Sequence, residues 1–223
     1  MRIAIILAGG QGRRMGATLP KQYLELAGKP ILQHTLETFV SFGFFDAYVL
    51  VRRPEDAPMV TSIVEQAQVP VPVTQVEGGA ERADSVLAAL RAIPHAGARV
   101  FIHDGVRPFV RREQVVRLEQ MLSTYAGAIL AVEAHDTIKV VVEPPLIQGT
   151  FDRRTIYHAQ TPQAFVLETI RTALEKGTAG LTDDASALER EGLPVAVVLG
   201  DLRNIKITTP EDMAIAEAIL KGF

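Results

Sequence analysis

Ile3-Ala4-Ile5-Ile6-Leu7-Ala8-Gly9-Gly10-Gln11-Gly12-Arg13-Arg14-Met15-Gly16 carries a short apolar run that breaks onto a glycine-rich, arginine-bearing loop. The run, Ile3 to Ala8, reads as a strand, because the same unit recurs along the chain. Short apolar runs at Ala47 to Val51, Val71 to Val76, Ala98 to His103 and Gly127 to Val132 predict four more strands. Between them, amphipathic stretches of helical length lie at about Ile31 to Phe42, Glu55 to Gln66, Arg82 to Ile93 and Arg112 to Tyr125. Strands alternating with helices in this order predict a doubly wound, mainly parallel α/β sheet covered by helices on both faces.

After residue 132 the pattern changes. Asp136-Thr137-Ile138-Lys139-Val140-Val141-Val142, the Pro144-Pro145 break and Gln148-Gly149-Thr150-Phe151-Asp152-Arg153 read as two extended arms around a turn. This predicts a projecting β-arm at about 134–158. A two-stranded arm is marginal alone and its edges invite pairing, so a homodimer in which each arm packs on its partner is expected. The chain then returns to α/β, with helices at about Val166 to Lys176, Asp184 to Glu191 and Pro210 to Leu220 and a strand at Val195 to Leu199.

With 223 residues, 48% of them hydrophobic and 22% charged, the chain can build one sizeable core. A single domain over 1–223 is therefore expected. A net charge of -3 argues against a general nucleic-acid binder, which needs a basic face to neutralise phosphates. No apolar window reaches the length of a membrane span, and the opening apolar run is too short and differently flanked for a signal peptide, so a cytoplasmic protein is expected. With no cysteine, disulfides, thiolate metal sites and a cysteine nucleophile drop out together.

The loop after the first strand presents backbone N–H groups to an anion without obstruction, and Arg13, Arg14 and Lys21 follow at once. Three cations converging on open amides favour a polyphosphate. The loop is not a dinucleotide fingerprint, since the third glycine counted from Gly10 falls at Met15, and it lacks the Gly-Lys-Ser/Thr ending of a P-loop. The strand Val100-Phe101-Ile102-His103 ends in Asp104, which would face the same crevice. There a single carboxylate with phosphate oxygens and water could hold Mg²⁺, although capping the following segment is the competing role. Gly78-Gly79-Ala80-Glu81-Arg82-Ala83-Asp84-Ser85 opens a helix and offers amides, a hydroxyl and a guanidinium to a base or phosphate. Lys206, set between Ile205 and Ile207, reads as a lysine reaching into an anionic crevice, and Asn204 is the only asparagine in the chain. Thr182-Asp183-Asp184 reads at minimum as a helix start with acids in its first turn.

Taken together these stretches resemble the 2-C-methyl-D-erythritol 4-phosphate cytidylyltransferases of the non-mevalonate isoprenoid pathway. The first strand and loop, Pro20-Lys21-Gln22-Tyr23-Leu24, His103-Asp104-Gly105-Val106-Arg107-Pro108, Asp136-Thr137-Ile138-Lys139, Ala159-Gln160-Thr161-Pro162-Gln163, Thr182-Asp183-Asp184-Ala185-Ser186 and Asn204-Ile205-Lys206-Ile207-Thr208 fall in that family's order and approximate spacing. The resemblance implies a Rossmann-like nucleotidyltransferase fold and the transfer of CMP from CTP to a polyol phosphate. It implies that Arg14 and Lys21 stabilise the transition state, with Lys206 and Arg153 beside them. Ala8, Gly9, Gly10, Gly12, Gly79, Ser85, Asp104 and Gly105 would bind CTP, with Asp104 also the Mg²⁺ ligand. Arg107, Thr137, Arg153, Thr161, Thr182 and Lys206 would bind the acceptor, with Thr137 and Arg153 supplied by the arm of the other subunit. Ribitol 5-phosphate cytidylyltransferases share much of this pattern. A non-catalytic nucleotide-binding module and a nicotinamide-dependent oxidoreductase are the alternatives from other classes.

Overall fold

In the computed structural model of the chain, the described residues are 1–10 and 19–222. The first strand, β1 (Arg2–Leu7), is buried on both faces: Ile3 and Ile5 point into one apolar layer, Ala4 and Ile6 into the other. Successive side chains of a strand alternate sides, so one unbroken apolar run serves both layers. The strands β4 (Ala47–Arg52), β5 (Val73–Glu77), β6 (Arg99–Asp104) and β7 (Gly127–Glu133) lie within one or two residues of the predicted runs. Two short strands, β2 (Glu25–Leu26) and β3 (Lys29–Pro30), form a separate small hairpin.

The helices α1 (Ile31–Ser41), α2 (Ala57–Gln66) and α4 (Arg112–Met121) cover one face, and α3 (Arg82–Arg91), α5 (Leu167–Glu175) and α6 (Ala185–Arg190) the other. α4 stops four residues before the predicted end, and the predicted start of α2 is a short 3₁₀ turn, Pro54–Asp56. The last helix, α7 (Pro210–Leu220), begins as read: the Thr209 hydroxyl caps Asp212 N–H, the Asp212 carboxylate returns to Thr209 N–H, and Pro210 takes the first position.

The central sheet has seven strands in the order β11-β7-β10-β6-β1-β4-β5, where β11 is Val195–Leu199 and β10 is Tyr157–Val166. All pairings are parallel except those of β10, which runs antiparallel between β6 and β7. The sequence reading has no strand there. Tyr157–Val166 holds Gln160, Thr161 and Gln163, all buried, and Pro162, which cannot donate to a ladder. The register shifts between Gln160 and Gln163, so the proline sits where the ladder is already broken.

Beyond β7 a hairpin forms from β8 (Lys139–Val142) and β9 (Leu146–Thr150) paired antiparallel; both strands are shorter than the extended arms read from the sequence, Arg153 lies in a 3₁₀ turn, and Tyr157 and His158 belong to β10. Leu146, Ile147 and Phe151 are each more than half exposed on it.

From β1 the chain builds outward through β4 and β5, then crosses back to place β6 on the other side of β1. Leu7 is paired with Asp104 at the carboxyl ends of β1 and β6. The strand order reverses at this point, and the loop after β1 and the acid ending β6 emerge side by side. The wall beneath is aromatic: Phe39 stacks on Phe45 at 5.3 Å between ring centroids and lies 4.6 Å from the His103 ring. Phe39→Ala should cost about 3–5 kcal/mol of unfolding free energy, the usual scale for emptying a fully buried aromatic site. Urea unfolding measures it, and a loss below about 1 kcal/mol would show that this wall can collapse without penalty.

Candidate active site

Asp104 ends β6 with 7% of its surface exposed, and three cations surround its carboxylate. Lys206 Nζ lies 2.9 Å from Oδ2, Arg107 Nε 3.5 Å from Oδ2, and Arg82 Nε 3.3 Å from Oδ1. Burial raises the carboxyl pKa, but the fields of Arg82, Lys206 and Arg107 outweigh it and hold the group well below the usual carboxylate range. No helix starts at Asp104, which removes the capping role; its own N–H donates to Thr161 Oγ1 at 3.1 Å.

Each cation arrives on a different element. Arg107 follows Asp104 in a tight turn closed by Arg107 N–H to Asp104 C=O, 3.1 Å, and its Nη1 donates to the Asn204 carbonyl at 2.8 Å. Lys206 comes from the segment before α7. Ile207 beside it is fully buried, with its N–H on Val106 C=O, so the alternation read from the sequence leaves Lys206 facing Asp104. Asn204, fully buried, ties this segment to β10 through Nδ2 to Thr161 C=O at 2.9 Å, and Gln160 Nε2 holds Asp201 C=O at 2.9 Å. Arg82 opens α3 and bonds both oxygens of Asp184 at 2.8 Å.

His103 has no room for a metal or a charge. Its Nε2 meets Arg107 C=O at 2.9 Å and its Nδ1 meets Thr161 Oγ1 at 3.0 Å, so Nε2 carries the proton and Nδ1 accepts from the hydroxyl. Complete burial pushes its pKa down to about 4. The neutral ring locks Thr161, and through it the Asp104 backbone.

Two clefts meet at this cluster. One, of about 540 Å³, is bounded by Gly9, Gly10, Lys21, Arg53, Gly79, Ala80 and Ser85; the other, of about 450 Å³, by Arg107, Gln160, Thr161, Thr182 and Asp183. Asp104, Lys206 and Arg82 line both. Lys21 sits on a 3₁₀ turn, Lys21–Tyr23, which Gln22 fastens to the strand loop by donating Nε2 to Ala8 C=O at 2.6 Å. Gly79 is required by packing as well as by the cleft: a Cβ there would lie 2.5 Å from Asp84 Cβ. Its N–H donates to Ser85 Oγ at 3.1 Å.

Of the residues predicted for the site, Gly9, Gly10, Lys21, Gly79, Ser85, Asp104, Arg107, Thr161, Thr182 and Lys206 therefore line one cleft or both. Ala8 and Gly105 lie just behind: Gly105 N–H is spent on Leu7 C=O, and a Cβ on Gly105 would press that carbonyl at 2.9 Å. Thr137 and Arg153 are on the arm, exposed, and line neither cleft of their own chain, Arg153 bonding the His135 carbonyl. Gly12 and Arg14 lie outside the described residues. The sequence reading missed Arg53, although it follows a strand's carboxyl end, where ligands bind; Asp56 holds it in a two-pronged pair at 2.8 and 2.9 Å. It also left Arg82 and Asp184 unpaired, two residues that nothing local connects.

A mainly parallel sheet with a cationic double cleft at its switch point defines a nucleotide-handling α/β protein, and among the described residues no helix is long and apolar enough to cross a membrane. Comparison with known proteins gives the family. The 2-C-methyl-D-erythritol 4-phosphate cytidylyltransferase (IspD) family model matches residues 2–222, and the chain belongs to this CTP-dependent nucleotidyltransferase family. It is 48% identical to the protein of that name from Geotalea uraniireducens, across 100% of this chain and 98% of the relative. It is 44% identical to that from Geobacillus thermodenitrificans, across 97% and 96%. Among solved structures, 4-diphosphocytidyl-2C-methyl-D-erythritol synthase from Anaerococcus prevotii superimposes with a TM-score of 0.88 at 33% identity, covering 99% of this chain and 96% of that one.

The buried neutral His103 sets a pH dependence. Its folded pKa of about 4 lies below the ordinary 6.5, so the unfolded chain binds the extra proton first and stability falls as pH drops through the unfolded value. Between about pH 7 and about pH 5 this amounts to on the order of 2 kcal/mol. Urea unfolding of His103→Gln, whose amide can serve both partners, should lose that part of the slope; an unchanged slope would contradict the assignment.

Proposed function

We propose that the chain transfers CMP from CTP to 2-C-methyl-D-erythritol 4-phosphate, giving 4-diphosphocytidyl-2-C-methyl-D-erythritol and pyrophosphate. The observation that carries this reading is the meeting of two clefts at one carboxylate bearing three cations. Counting the Asp184 carboxylate that holds Arg82, three cations face two carboxylates and the cluster keeps a net charge of +1, suited to substrates that are themselves anions. Family membership and the names of the relatives support the choice of substrates.

In this reading CTP occupies the cleft of Gly9, Gly10, Gly79 and Ser85, with Ala8 just behind it and Gly12, outside the described residues, as a further CTP-binding residue. Gly105 contributes through its backbone, letting the Asp104 turn close against β1. The acceptor phosphate enters beside Arg107, which lines that cleft next to Asp104. Thr161 and Thr182 border the acceptor's path.

An acceptor oxygen forms its bond to the α-phosphorus as the bond to the pyrophosphate oxygen breaks in line. Arg14, Lys21 and Lys206 neutralise the charge that builds on the equatorial oxygens. A phosphate acceptor is already ionised near neutral pH, so no general base is needed. Asp104, ionised and at the cleft junction, suits Mg²⁺ held jointly with triphosphate and water oxygens, an arrangement that needs only one protein carboxylate. The ion would neutralise triphosphate charge and orient the leaving group. Among the described residues no group of three or more acidic or imidazole ligands offers a self-sufficient alternative.

We read the chain as one cytoplasmic nucleotidyltransferase domain, 1–223, that works as a homodimer. The support for the dimer is the arm at about 134–158: its apolar side chains are uncovered, and Thr137 and Arg153 lie away from their own chain's clefts.

Two measurements test this. Lys21→Ala and Arg14→Ala should each lower turnover about 10²-fold or more, followed by pyrophosphate release with 2-C-methyl-D-erythritol 4-phosphate and with ribitol 5-phosphate as rival acceptors. Unchanged turnover in both variants, or faster transfer to ribitol 5-phosphate, would overturn the reading. Separately, Lys21→Ala and Arg153→Ala subunits are unfolded, mixed and refolded. If arms serve the partner, each mixed dimer has one intact site and about a quarter of wild-type activity returns; if the arm serves its own chain, none does.

A further inference from the structure

The three cations on Asp104 are not held alike. Lys206 reaches it with one flexible stem and a side chain 37% exposed, while Arg107 is buried, with Nε 3.5 Å from Oδ2 and Nη1 on the Asn204 carbonyl at 2.8 Å. Arg82 is different. Both its terminal nitrogens are bound at 2.8 Å by Asp184, itself 1% exposed, leaving Nε alone for Asp104 Oδ1 at 3.3 Å. A guanidinium whose fork is taken by a buried carboxylate cannot swing toward a phosphate, whereas a lysine ammonium can.

Asp184 is fixed in turn. Its N–H and that of Ala185 both donate to Gln163 Oε1, at 3.1 and 3.0 Å, and Gln163 stands on β10, next to β6. The contacts run from β10 through Gln163 to the start of α6, then through Asp184 and Arg82 back to the acid that ends β6. Every link is a directed hydrogen bond.

We propose that Arg82, pinned by Asp184, is a positioning residue that fixes the Asp104 carboxylate at the junction of the two clefts. Lys206 is then the cation that exchanges from Asp104 onto a substrate phosphate. This rests on the cytidylyltransferase reading and adds a residue whose role is to stay behind. Without it, Asp104 turns fully onto Lys206 and Arg107, and both substrates still bind while transfer slows.

Pyrophosphate release at saturating CTP and acceptor tests this in R82K, which keeps the charge without the fork. The neutral pair R82Q/D184N serves as a second variant that leaves no buried charge unpaired. Both should lose kcat by about tenfold or more, while KM for each substrate stays within about threefold. Calorimetric CTP affinity in the presence of Mg²⁺ should likewise stay within about threefold. In a D104N background, followed by single turnover of labelled CTP, R82K should remove no further activity, because its effect passes through Asp104. Wild-type kcat in either folded variant, a loss carried by KM alone, or an equal loss in the D104N background would each overturn the role. Wild-type protein that releases no pyrophosphate would sink the cytidylyltransferase reading and this role with it, whereas an active wild type beside unaffected variants would sink this role alone.

Discussion

The ion cluster around Asp104 is the constraint on which the rest of the molecule depends. A carboxylate this buried would be costly if unpaired, and three cations gathered without it would repel one another. Each side makes the other tolerable, with positive charge in excess. The same pairs that allow the cluster to fold therefore leave a local field for anions in a chain whose net charge is -3.

The fold's task is to bring four distant segments to that point. Parallel register between β1 and β6 sets Leu7 beside Asp104 and so joins the glycine loop to the acid. Antiparallel β10 acts as the brace. Its buried polar residues are each spent on a different loop: Gln160 on Asp201, Thr161 on Asp104 and His103, Gln163 on the start of α6. A strand with apolar residues there would bury as well and hold none of these loops.

This division explains what could be read from the chain. The inner parallel strands β1, β4 and β6 were legible because residues buried on both faces must be apolar in sequence, whatever the tertiary detail. β10 was not, since the side chains that make it useful are those that mimic a loop, and Pro162 adds a breaker where the ladder is interrupted. Within the site, Asp104, Lys21, Gly79 and Lys206 were legible because a strand end, a glycine loop or flanking isoleucines marked each one. Arg82 and Asp184 sit 102 residues apart, and each alone looks like an ordinary residue in the first turn of a helix. Their pairing exists only once α3 and α6 pack on the same face of the sheet.

The arrangement also accounts for why a site for joining two anions needs neither a nucleophile nor a base. In the proposed reaction, Lys206, which satisfies Asp104 at 2.9 Å, is held within reach of its working position by an interaction a phosphate can replace. A phosphate carries more charge than a carboxylate and accepts more hydrogen bonds, so the exchange of partners runs toward the substrates. Side chains that start this close need little reorganisation as charge builds on the phosphorus oxygens, and little reorganisation is what makes such stabilisation effective. For the exchange to be ordered rather than a collapse of the cluster, one partner of Asp104 must not leave. The buried Asp184 carboxylate holds Arg82 in a way that nothing holds the Lys206 ammonium, which suits Arg82 to the proposed part.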